Sequence, residues 1–430
     1  MNSINRKTTP EFKSIGKTSL FKPEELKLKN GIPLYVFNLH DSELIKFEMI
    51  FEAGNWNLSK PLAGLASAKL MDDGTRRKTS KEIAEEIDFY GSYYSVSVQS
   101  DFVSIELFTL RKFLSKTLPI LLEILTEAIF PESEIKIFQV NNIQKILVDE
   151  QKVQKIGTRL FLKSLFGGNS KYGHGEHVED YEKLGREEIL ESYGNVFHNG
   201  NCILLASGKI GDIEIKVIEN IFGLKAWGKF NPKIMEDPTA NYYNTKPEYV
   251  FKETQNASQS ALKIGKPLVP KSHPDFPFLG ILNTVLGGYF GSRLMNNIRE
   301  DKGLTYGIGS NINPLKNLSF FYISTEVNAD STKEVILEIN KEIEILQKDL
   351  ISVSELELVK NFMRGSFLGS LENAFSYADK FKSLYFHKLD YTYYDVWFEA
   401  INKSNPNQLR ALAQQYWDRE SFHTVIVGKE

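Results

Sequence analysis

A chain of 430 residues is longer than one ordinary hydrophobic core supports, so roughly two to four units are expected. With 42% hydrophobic and 25% charged residues, the composition is that of a soluble globular protein, and a net charge of −3 argues against a nucleic-acid partner held by phosphate neutralisation. No apolar run approaches the roughly 18 residues of a membrane span, and a single cysteine, Cys202, excludes internal disulfides and a cysteine-based zinc knot. Cys202 is expected to lie buried as a small apolar residue rather than to act as a nucleophile.

The opening stretch, MNSINRKTTPEFKSIGK, is basic and polar and has no apolar h-region, so no secretory signal is expected in it. A cytoplasmic chain, and a periplasmic one freed of its signal, both fit that reading. A strand follows at Leu34–Asn38 and a longer one, LIKFEMIFEAG, at Leu44–Gly54. A short apolar helix is expected over Ala63–Met71, stopping at Gly74. The next helix starts at a Thr79/Ser80 cap, carries Ile83, Ala84 and Ile87 on one face, and ends at Gly91. The segments SYYSVSVQ and DFVSIELFTL alternate as a hairpin, with Tyr94, Val96 and Val98 facing Val103, Ile105 and Leu107. Helices are predicted over 113–129, 132–166 and 185–197, and CILLASGKI closes the half as a strand.

The second half repeats this order. SALKIGKPL reads as a strand and FPFLGILNTVLGG as a helix ending in glycines. TYGIGSNI and SFFYISTEV form a second hairpin, with long helices predicted over 330–349 and 353–388. The segments ending at Lys209 and Lys429 are both a helix, an aromatic-bearing turn and an apolar strand finishing in Gly-Lys, offset by 220 residues. An internal duplication is therefore expected, divided into an N-terminal extension (1–24), a first half (25–223), a proline-bearing polar linker (224–246) and a second half (247–430). Helices that run after strands, with antiparallel hairpins, point to an α+β fold rather than a doubly wound parallel sheet.

Two stretches carry a resemblance. GLASAKLMDDGT is similar to the segment of M16 (pitrilysin/insulinase, mitochondrial-processing-peptidase-like) metallopeptidases that bears the inverted zinc motif His-x-x-Glu-His. LGGYFGSRLMNNIREDKGLTYGIGS, Leu286–Ser310, resembles the second-domain signature of the same family. The resemblance implies a LuxS/MPP-like metallohydrolase fold of two homologous halves, each an antiparallel-rich sheet covered by helices, forming half of a chamber. In active members, two histidines one helical turn apart hold zinc and the glutamate between them is the general base for water. Here Ser67, Ala68, Lys69, Leu70 and Met71 fill that helix, so it is expected to be a core helix without metal. The family's third ligand is a glutamate on a later helix. Glu150 is the nearest counterpart, and a lone carboxylate is at best a very weak zinc site.

The stretch YGHGEHVED holds His174, Glu176 and His177, one residue short of the family motif, and is read as a solvated loop. His40, His198, His273, His387 and His423 are scattered and read as surface or satisfied core residues. Gly287-Gly288-x-x-Gly291 lacks a preceding strand and a P-loop lysine, so its glycines are read as permitting close packing rather than cradling phosphate.

By the same resemblance, Arg299 and Tyr306, seven residues apart, would face a zinc across the chamber and grip substrate backbone. A guanidinium and a phenol can both donate to a peptide carbonyl. The plain alternative puts Arg299 in a surface ion pair with Glu300 or Asp301 and Tyr306 simply in the hairpin. What the resemblance implies is a non-catalytic M16B-type subunit. It would supply the Arg299/Tyr306 pair to a zinc-bearing M16 partner for peptide hydrolysis, with zinc in that partner and none in this chain. A second copy of the chain is an alternative partner. The rival expectations are a structural or assembly protein of this fold and a stand-alone zinc peptidase using His174 and His177.

Overall fold

Two sheets of one topology organise the chain, whose computed structural model describes residues 20–39, 42–52, 61–228, 243–254 and 257–429. The first sheet contains β1 (Glu24–Lys27), β2 (Pro33–Asn38), β3 (Leu44–Phe51), β4 (Tyr93–Val98), β5 (Val103–Leu110) and β6 (Cys202–Gly208), in the order β1-β2-β6-β3-β5-β4. The second contains β7 (Tyr249–Glu253), β8 (Gln259–Leu268), β9 (Thr305–Pro314), β10 (Ser319–Asn328) and β11 (His423–Gly428), in the order β7-β11-β8-β10-β9. Without β1 the two orders coincide strand for strand. In each, the last strand inserts parallel to the first and antiparallel to the second.

That shared insertion explains the Gly-Lys echo. Gly208 and Gly428 end the inserted strands at φ +124° and +137°, and a Cβ would fall 2.5 Å from Leu44 O in one half and 2.5 Å from Ser260 Oγ in the other. Only glycine fits both the dihedral and the space.

Alternation sets the hairpin register. Tyr94, Val96 and Val98 stand opposite Leu107, Ile105 and Val103, as the period-2 pattern predicts. In β3 the odd residues Ile45, Phe47, Met49 and Phe51 enter the first core with Leu204 and Ala206 of β6, beneath the helices Leu114–Glu127 and Arg186–Val196. A second core joins Leu262, Ile264 and Phe321 to the helices Phe276–Leu286, Thr332–Lys348 and Pro406–Tyr416.

The opposite face of each sheet is covered by a helix from the other half. Ala374, Ala378 and Phe381 of the Ala374–Tyr385 helix pack on Phe37, Ile50, Ile203 and Leu205 of the first sheet. Ile156, Phe161 and Leu165 of the Val153–Phe166 helix pack on Phe320, Val425 and Val427 of the second. This exchange corrects two helix expectations. The predicted 132–166 helix is broken after Asp149, because Ile135 and Ile146 serve the first core while Ile156 and Phe161 serve the other sheet. The predicted 353–388 helix is likewise two, Val353–Gly369 and Ala374–Tyr385. The second is started by Asn373, whose side chain accepts from the Phe375 and Ser376 N–H groups at 2.9 and 3.1 Å.

The helix expected over Ala63–Met71 runs Pro61–Lys69 and turns at Leu70. The Ser80–Phe89 helix has the Thr79 cap, closed into a capping box by Glu82. Most of the N-terminal extension (1–19), the middle of the linker (229–242) and His40 lie outside the described residues. No described helix is long and apolar enough to cross a membrane.

Candidate functional site

The Pro61–Lys69 helix is packing material along its length. Ser67 is fully buried, donates to Gly64 O at 3.0 Å and lies 3.0 Å from Ser192 Oγ on the neighbouring helix. Ala68 and Met71 are fully buried and Leu70 nearly so, all in the first core. Lys69 alone is exposed, and its ammonium donates to the Val96 carbonyl on β4. These five side chains offer one amine, one hydroxyl already bonded and three apolar groups. Such a donor set does not fit a zinc ion. Just beyond, burial with Asp73 alongside pushes the Asp72 carboxyl up to about 6.

Glu150 follows the Glu132–Asp149 helix and is half exposed, with Arg159 Nη1 3.2 Å from its Oε1. Unlike the sequence reading, which treated them apart, the structure brings Glu150 and the His174 loop to one cavity. Its volume is about 360 Å³, and Arg159, His174 and Glu176 also line it. His174 Nε2 lies 3.4 Å from Asp180 Oδ2, the His174 and His177 ring centroids are 5.9 Å apart, and Glu176 accepts from the Tyr181 hydroxyl at 2.8 Å. Among the described residues, no three His, Cys, Asp or Glu side chains gather as a ligand set. His198 and His423 are buried, and burial lowers both imidazoles. His387 falls to about 4 through burial, with Lys271 nearby adding to it. His273 stands 3.8 Å from Asp275 Oδ2. Cys202 is buried on the first sheet, and desolvation pushes its thiol well up, away from nucleophilic use.

Arg299 and Tyr306 are brought side by side at an open edge. Arg299 lies in the helical turn Met295–Asp301, anchored by the fully buried Ile298. Gly303, at φ +63°, reverses the chain, and its N–H returns to Arg299 O at 3.1 Å. Leu304 N closes on Ile298 O at 2.9 Å, and Thr305 opens β9, the edge strand of the second sheet. The guanidinium carbon then lies 5.6 Å from the Tyr306 ring centroid. The Tyr306 side chain is 92% exposed, and its hydroxyl has no hydrogen-bond partner among the described residues. Arg299 Nη1 is 3.0 Å from Glu300 Oε1, so the ion pair of the plain alternative is present as well.

The Leu286–Ser310 glycines act as close-packing positions. A Cβ on Gly287 would come 2.6 Å from Ser310 N, and one on Gly288 would come 2.7 Å from Thr284 Cα. The sequence reading passed over Phe290, whose ring centroid lies 4.7 Å from the Arg299 guanidinium carbon. The one signal was an aromatic pair set among glycines with no core spacing.

Comparison with known proteins bears on these two sites. Residues 183–363 match the family described as "Peptidase M16 inactive domain". The chain is 27% identical over 310 residues to an "Uncharacterized zinc protease YmxG" of Bacillus subtilis, covering 70% of this chain and 72% of that one. It is 24% identical to a "Non-peptidase homolog YmxG" of Helicobacter pylori, over 74% of this chain and 73% of the relative. A crystal structure of a peptidase M16 inactive domain from Pseudomonas fluorescens superimposes with a TM-score of 0.85 at 18% identity, over 95% of this chain and 99% of that one. That likeness gives the two-sheet α+β fold. Signature, family match and fold agree: the chain is similar to the M16 peptidases, and its Pro61–Lys69 helix lacks their His-x-x-Glu-His zinc motif.

Proposed function

We propose that the chain is the non-catalytic subunit of a two-chain M16 zinc peptidase, giving Arg299 and Tyr306 to the active site of a partner that carries His-x-x-Glu-His. One contrast carries the reading. The helix where zinc ligands would stand is consumed by core packing, while Arg299 and Tyr306 stand together at an edge strand with the phenol unspent. Donors left free at an edge can polarise a peptide carbonyl and stabilise the charge that develops on it when water attacks. The residues of this chain bind and orient, and the partner's zinc would supply the activated water. Within this reading, the isolated chain neither holds zinc in stoichiometric amount nor cleaves peptide. Elemental analysis of the purified chain separates it from a stand-alone peptidase using His174 and His177.

The test is reconstitution with the zinc-bearing M16 chain of the same genome. Activity should appear only in the mixture. Tyr306→Phe removes one donor and keeps the ring, so the rate should fall about a hundredfold or more if the hydroxyl meets the transition state. Arg299→Ala should lose activity partly through weaker substrate binding. The Arg299–Glu300 ion pair favours a second reading, a structural or assembly protein of this fold. Unchanged rates in both variants would decide for it.

A further inference from the structure

Arg299 is held between two rings that the rest of the protein leaves open. Its guanidinium carbon is 4.7 Å from the Phe290 centroid and 5.6 Å from that of Tyr306. Phe290 is 65% exposed, whereas the arginine side chain between the rings is 27% exposed. Neither ring is part of the apolar core of this half. Two exposed aromatic rings flanking a cation offer apolar faces and a positive charge at one place on the surface.

The position of Phe290 is built into the backbone. Gly287 lies close against β9, where Ser310 N donates to its carbonyl at 3.0 Å. Tyr289 is half-buried and packs on Phe362, ring centroids 4.8 Å apart, while Phe290 lies over Arg299. Arg299 Nη1 is buried and spent on the ion pair with Glu300 Oε1 at 3.0 Å. The guanidinium has five N–H donors, so the Glu300 pair leaves others for a second acceptor.

We infer that Phe290 is a positioning and specificity residue of this grip. Its ring holds the guanidinium by cation–π attraction so that an N–H not engaged by Glu300 meets a peptide carbonyl. Its outer face, turned away from the guanidinium, forms a bed for a large apolar side chain near that carbonyl. The bound class is an unfolded peptide segment carrying an aromatic or long aliphatic residue, and this inference rests on the reading of Arg299 and Tyr306 as peptide-binding.

The full chain is titrated against two labelled Gly/Ser peptides, identical except that one carries a single central phenylalanine, with fluorescence anisotropy as readout. The wild type should bind the phenylalanine peptide more tightly. Phe290→Leu keeps apolar bulk but loses the ring face, which should weaken binding about two- to fivefold. Phe290→Ala should abolish the preference between the peptides, and Phe290→Tyr should restore it. Circular dichroism keeps fold loss separate from site loss. If the wild type binds both peptides equally and Arg299→Ala abolishes binding of both, the inference is overturned while the peptide-binding reading stands. If the wild type binds neither peptide, or Arg299→Ala binds both as the wild type does, the reading falls and the inference with it.

Discussion

Replacing Lys382 with methionine tests how the two halves are held together. On the even face of β3, Glu48 is 1% exposed and receives the Lys382 ammonium at 2.5 Å, the Ser104 hydroxyl at 2.6 Å and Lys46 at 3.3 Å. Lys46 also pairs with Glu106 at 2.7 Å, and Lys382 with Asp379 at 2.8 Å. Lys382 comes from the Ala374–Tyr385 helix, so this network joins the second half to the first sheet. Burial alone would raise the Glu48 carboxyl, but Lys382 and Lys46 hold it below its usual range. Methionine keeps the aliphatic stem and deletes the charge, leaving Lys46 to offset the buried Glu48 and the partly exposed Glu106. Removing one partner of a buried pair costs about 3–5 kcal/mol, and the surviving Lys46 places the expected loss at the lower end, about 3 kcal/mol at pH 7. A carboxyl with a depressed native pKa contributes stability above its unfolded pKa and loses it as pH falls through the native value. In the variant Glu48 takes up its proton at a higher pH, so the cost should shrink below about pH 4.5. Urea unfolding of the wild type, Lys382→Met, Glu48→Gln and the double variant at pH 7 and pH 4 supplies a complete cycle. Additive single costs, or a Lys382→Met cost that is the same at both pH values, would refute the reasoning.

Two further outcomes follow from the same geometry. Asp72 is raised from 3.8 to about 6 chiefly by burial, so its ionised form costs stability as pH rises through that window. Asp72→Asn should therefore stabilise the chain by up to about 3 kcal/mol at pH 7–8 and have little effect at pH 4, read from thermal melts across pH. A protease site inserted between Gly228 and Tyr243 should allow complete cleavage without separation of the fragments on gel filtration, because each half lends a helix to the other's sheet.

Most of the fold was legible because strand periodicity, caps and the internal echo all reported local geometry. LIKFEMIF reads as a strand whichever half it serves, and DFVSIELFTL reveals its register by alternation alone. Exchange of the helices was not legible. Ile156 and Phe161 announce a buried face, but nothing in their spacing says which sheet they meet. The breaks at Glu150 and Asn373 are consequences of that choice of partner. Lys46 and Glu48 were legible as charges within a strand, yet their meaning depends on Lys382, more than three hundred residues away. Strands β1 and β7 are short edge strands with mostly exposed residues, so they left almost no hydrophobic pattern to read.

The candidate site divides along the same line. An absence is easy to read: Ser67, Ala68, Lys69, Leu70 and Met71 lack zinc-ligand chemistry in any fold, and the structure adds only why the helix persists. Ser67 ties to Ser192, and Ala68 and Met71 fill space that any replacement would have to fill again, so selection on packing alone would retain the segment. A presence is harder. Arg299 and Tyr306 came from the Leu286–Ser310 signature, and the Gly303 turn that joins them was visible in the sequence. Phe290 was not, because its role lies in which way the backbone turns it. The Tyr289–Phe362 contact decides that orientation, through a helix that follows more than sixty residues later. The chemistry of such a site therefore resides less in the Arg299/Tyr306 pair than in the packing that engages the Tyr289 ring and leaves its neighbour free.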